Sequence, residues 1–137
     1  MIDVNFIAVA VAAIAAFAVG ALWYSVLFGR QWRVLMGMTP EVMAEPGRMG
    51  MGQAMAGGFV ATLVMTFVLA NLLAMTGTTT AGAALTLAFW IWLGFVATIM
   101  SNSLWYENRP LKLYVINVSH YFVALLVAAL VLTLWSW

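Results

Sequence analysis

Four runs of the chain, residues 5–27, 54–75, 82–104 and 111–134, hold a single charged side chain between them, Lys112 at the start of the last. Each reaches the roughly 20 residues a helix needs to cross a hydrocarbon core about 30 Å thick. In lipid, backbone N–H and C=O groups must be paired within the segment, so each run reads as a transmembrane helix. Composition agrees: 7% of the 137 residues are charged, against roughly 25% in a soluble domain. The expected architecture is an all-α membrane protein. It forms one domain over 1–137, with four helices in a compact bundle.

The connections are short except one. "MTGTTTAG" (75–82) separates the second and third spans with residues poor at continuing a helix. "YENRPLK" (106–112) separates the third and fourth, with Pro110 suited to a first helical turn. Within 28–53, Thr39, Pro40 and Glu41 read as N-cap, first-turn proline and favourable dipole charge. They predict a short interfacial helix between Trp32 and Ala44, and "EPGRMGMG" then reads as a flexible return. A cleaved signal peptide fits the N-terminus poorly, because Asp3 stands there without Lys or Arg and the apolar stretch is too long. The first span is therefore expected to be retained.

Charge sets the expected orientation. Arg30, Arg33 and Arg48 lie in the first connection and Arg109 and Lys112 at the third, and the remaining termini and connection hold no basic residue. The positive-inside bias puts these two connections in the cytoplasm and both termini outside. Trp23, Tyr24, Trp32, Trp105, Tyr106 and Tyr114 cluster on the basic side, and Trp135 and Trp137 on the other, as an aromatic belt does. Trp90 and Trp92 lie too deep for a belt and point to different helix faces.

"LWYS" (22–25) recurs as "LWYE" (104–107), and at that offset Arg30 meets Lys112, Ala12 meets Gly94 and Ala16 meets Thr98. Two parallel-repeat hairpins would produce this echo. So would convergence, since any span ending at the basic side favours aromatic and then basic residues. Helix association in lipid relies on close backbone approach. Small residues recur every fourth position at Ala8, Ala12, Ala16 and Gly20, and again at Ala54, Gly58, Thr62, Thr66 and Ala70. Gly94, Thr98 and Asn102 continue the pattern in the third span, as do Ala124 and Ala128 in the fourth.

Intramembrane polar groups are where function is sought. No carboxylate, Lys or Arg lies in the middle of a span, which argues against proton-coupled export. Asn117, His120 and Tyr121 share one face of the fourth helix, and Thr98, Ser101 and Asn102 one face of the third. His120 lies about 12 Å inside its span, at about 1.5 Å per residue. Counting from the short connection puts Thr98 level with Asn117 and His120. The six residues then form either a hydrogen-bonded seam or a ligand-lining pocket, with Asn117 and His120 bonded toward the third helix. With one histidine and no cysteine, the chain is poor in metal or haem ligands, and no cofactor is expected. Glu107 is expected beside the N-terminal dipole of the fourth helix. A net charge of +1 offers no surface for nucleic acid.

Two stretches carry a resemblance. "GALWYSVLFGRQW" supplies Gly20, Leu22, Trp23, Tyr24 and Ser25, then Phe28, Gly29, Arg30 and Trp32. "LWYENRPLKLYVIN" supplies Glu107, Arg109, Pro110, Lys112, Ile116 and Asn117. Over nearly its whole length the chain resembles a small bacterial membrane family known only as domain of unknown function 1761. Val26 departs from the pattern, because the family usually places a proline there, and its loss lets the first helix run longer. The resemblance implies four spans and a bacterial membrane, and no activity. Three functions stay in view. One is a structural or accessory membrane protein working through helix contacts, as a homo-oligomer or in a larger complex. A second is a carrier or channel for a small uncharged or weakly polar solute. The third is an enzyme or cofactor binder, for which no catalytic constellation is present.

Overall fold

The computed structural model describes residues 4–135; Asp3 and Trp137, read above from the sequence, lie outside them. Four helices are long and apolar enough to cross a membrane: α1 (Phe6–Leu27), α4 (Met51–Met75), α5 (Ala81–Trp105) and α6 (Leu111–Leu134). Two short helices, α2 (Gly29–Met36) and α3 (Pro40–Met43), fill the first connection. The boundaries follow local chemistry. The Asn5 carboxamide accepts from the N–H groups of Ile7 and Ala8 and starts α1. Thr39 caps α3 by accepting from Val42, with Pro40 in the first turn. Thr80 does the same for α5 through Ala83, since the first N–H groups of a helix have no partner within it. α4 begins at Met51, three residues before the expected 54, because Gln53 and its neighbours continue the helix at its N-terminal end.

α6 is the centre of the bundle. It packs against α1, α5 and α4, while α1 also packs against α4 and the main packing of α5 is along α6. Each neighbour of α6 contributes small or compact side chains. Ala8, Ala12 and Ala16 of α1 are buried, as are Thr66, Leu69, Ala70 and Leu73 of α4 and Ala84 and Ala88 of α5. Against them α6 sets Ala124, Leu125, Ala128, Ala129 and Leu132. Alanine lets backbones approach, which is where packing energy comes from once lipid has removed the hydrophobic difference. The stripes are used unevenly. Gly58 is exposed, and in α5 the buried small residues are Ala84, Ala88 and Ala97 rather than Gly94 and Thr98, which face outward.

Two of the spans are not uniformly α-helical. α1 ends in a π-helical turn at Trp23–Leu27, and α5 contains another at Trp92–Ala97. Val26 sits inside the first turn, which ends at Leu27. One extra residue in a turn rotates all that follows by about 100° relative to an α-helix. Trp23 and Trp92 open these two turns, so the rotation falls on the residues after them.

Candidate functional site

Trp23 and Tyr24 open the first π turn, and both reach α6. The Trp23 indole N–H donates to the Ile116 carbonyl at 3.0 Å, and the Tyr24 hydroxyl donates to Asn117 Oδ1 at 2.8 Å. One turn earlier, Gly20 lies beneath the imidazole of His120. A Cβ built on Gly20 would stand 2.9 Å from His120 Nε2, closer than real Cβ contacts run. His120 is wedged between rings, with centroids 5.0 Å from Tyr24 and 4.6 Å from Tyr121. Trp32, from α2, packs edge-on against the far side of Tyr24 at 5.5 Å. Gly29 has an equally specific reason, since a Cβ there would meet the Tyr24 carbonyl oxygen at 2.8 Å. Gly20, Trp23, Tyr24, Gly29, Trp32, Asn117 and His120 thus form one constellation where α1 crosses α6.

One polar atom within it is unsatisfied. His120 Nδ1 is buried without a hydrogen-bond partner among the described residues. Such a group costs on the order of 1–3 kcal/mol.

The polar residues of α5 are elsewhere. Thr98 Oγ1 donates to the Gly94 carbonyl at 2.6 Å, Ser101 Oγ donates to the Thr98 carbonyl, and Asn102 is exposed. The expectation that Asn117 and His120 bond toward the third helix is therefore corrected: their neighbours come from α1. The reason is register. A turn at Ser101 and the non-helical residues 106–110 take up chain, so Ala97, rather than a residue further along α5, sits opposite Tyr114, whose hydroxyl donates to the Ala97 carbonyl at 2.7 Å. Thr98 is accordingly level with the first turn of α6 and not with His120. Glu107 lies four residues before the first residue of α6, outside its first turn. Glu107, Arg109 and Pro110 form an exposed turn in which the Arg109 N–H donates to the Ser103 carbonyl at 2.8 Å. Ser25 is turned onto its own helix, donating to the Ala21 carbonyl.

Trp92 is a contact that sequence reasoning missed. Its indole N–H donates to the Val118 carbonyl at 2.7 Å, and its ring packs on Phe122 at 4.7 Å. The signal was present: a tryptophan too deep for the interface must find a partner for its N–H inside the protein. Trp23 and Trp92 therefore grip α6 from two neighbouring helices, two residues apart. Arg30 and Lys112, which the sequence echo pairs, line a common cleft of about 360 Å³ with Gln31, Val34 and Leu35. Among the described residues no three His, Asp or Glu side chains gather as metal ligands would.

A central helix gripped by aromatic donors, within four apolar spans, defines a compact multi-pass membrane protein. The chain belongs to the family described as protein of unknown function (DUF1761), whose model matches residues 7–133. No curated protein and no solved structure matches it.

Proposed function

We propose that this chain is a non-enzymatic protein of a bacterial inner membrane, acting through helix contacts as an accessory or oligomer-forming component. The observation that carries this reading is that Trp23, Tyr24 and Asn117 are engaged in holding α1 to α6. Residues occupied in this way act as a structural lock, and Gly20 is fitted to the same contact. The outward small residues Gly94 and Thr98, flanked by exposed Trp90 and Phe95, support association with a second helix in the bilayer. The charge bias supports both termini outside and the basic connections in the cytoplasm. The lipid bilayer is the principal partner, and nucleic acid is not one.

The unpartnered Nδ1 of His120 favours a second reading, in which a small polar solute binds beside Tyr24 and Tyr121. Unfolding in detergent separates the two. A lock requires Tyr24→Phe and Asn117→Leu each to lose roughly 0.6–2 kcal/mol of stability, and the purified protein to carry no stoichiometric small molecule by native mass spectrometry. Unchanged stability, together with a bound solute that both variants release, would overturn the lock in favour of the solute site.

A further inference from the structure

The geometry points to the cleft between α2 and the start of α6 as a binding site for the phosphate-bearing headgroup of an anionic phospholipid. Its lining is Arg30, Gln31, Val34, Leu35 and Lys112, and it contains no carboxylate. Arg30 and Lys112 are 82 positions apart in sequence and come from the first turns of two different helices. Both positions are electrostatically costly. A helix N-terminus carries partial positive charge and favours an anion, yet each of these first turns presents a cation, and neither holds an acidic residue. Two cations from two first turns line one space, and an anion placed there offsets both.

The rest of the lining selects a lipid over a free ion. Val34 is 74% exposed, and with Leu35 it gives the cleft an apolar wall suited to a glycerol backbone and the start of an acyl chain. Trp32 and Tyr114, close in sequence to the lining residues Gln31 and Lys112, are of the type that settles at headgroup depth. A guanidinium can grip phosphate oxygens bidentately, while an ammonium adds a mobile point charge. Basic pockets at helix ends on one side of a membrane protein hold lipid headgroups in this manner. The inference does not depend on the lock reading, since none of its residues belongs to the contact between Tyr24 and Asn117.

The test uses the full chain reconstituted in vesicles of equal phosphatidylglycerol and phosphatidylcholine, then extracted in mild detergent for native mass spectrometry of retained lipid. The natural protein should retain phosphatidylglycerol in excess, and Arg30→Gln with Lys112→Gln should reduce that retention about tenfold. Arg33→Gln, outside the lining, should leave it unchanged. The charge-preserving pair Arg30→Lys with Lys112→Arg should restore most of it, which guards against a folding defect in the neutral pair. Equal retention by the neutral pair, or equal retention of both lipids by the natural protein, would overturn the site. Displacement of phosphatidylglycerol by inorganic phosphate at equal concentration would overturn the lipid assignment in favour of a free anion.

Discussion

Gly20→Ala tests the α1–α6 contact at its tightest point. The added methyl would lie 2.9 Å from His120 Nε2, and the imidazole has little room to withdraw because Tyr24 and Tyr121 flank it. Overpacking of this kind costs about 1–3 kcal/mol. Against it stands the helix preference of alanine over glycine, worth up to about 1 kcal/mol. The single substitution should therefore be destabilising by no more than about 2 kcal/mol, and its sign alone is a weak test. Removing the ring decides the matter. In a His120→Ala background only the helix preference survives, so Gly20→Ala should become neutral or stabilising, a coupling of about 1–3 kcal/mol. The assay is unfolding in mixed detergent micelles followed by tryptophan fluorescence, with Trp23 reporting on the contact itself. If Gly20→Ala has the same effect in both backgrounds, His120 does not rest on Gly20 and the packing argument fails.

Ala12→Leu should abolish folding or assembly, because Ala12 is 0% exposed between helices. Gly58→Leu should be mild, since a Cβ there meets only Phe17 at an ordinary 3.7 Å; equal damage from both would show that α4 packs closely along its whole length. Trp92→Phe should cost about 1 kcal/mol in the same unfolding assay through loss of its bond to Val118. Trp90→Phe, at a residue 61% exposed, should be silent, and the reverse order would refute the assigned donor. The natural chain has no cysteine, so single reporters can map orientation. Thr78→Cys should be labelled by an impermeant thiol reagent in intact cells and Gly47→Cys should not, and the opposite pattern would invert the proposed topology.

The four spans were legible because uncharged runs of this length have few other solutions in a polypeptide. The fourth matches residue for residue, with Pro110 stopping any extension toward the N-terminus. Thr39 and Pro40 were equally readable, since capping depends on residues within four positions. The partners of His120 were not readable. Periodicity put Asn117 and His120 on one face but could not say which helix that face meets. That choice depends on the register set by the Ser101 turn, which has no sequence signature as plain as a proline or a charge. Trp23 and Tyr24 were read as belt residues because their depth suits a belt. They stand three and four positions after Gly20, on the same face of α1, and it is that face which packs on α6 and gives them Ile116 and Asn117 as partners.

The central position of α6 carries a consequence for how the molecule is made. α1 and α4 can pair as soon as both are in the bilayer, but the main packing surface of α5 belongs to a helix that follows it in the chain. Until α6 inserts, Trp92 has no carbonyl at Val118 to bond, and Trp23 and Tyr24 lack Ile116 and Asn117. The unfinished protein thus carries, on α1 and α5, indole and phenol groups whose partners have yet to arrive. Biogenesis is therefore a waiting problem for α5 above all: α1 and α4 can already be paired, and the arrival of α6 gives α5 its main packing surface and closes all three aromatic contacts together.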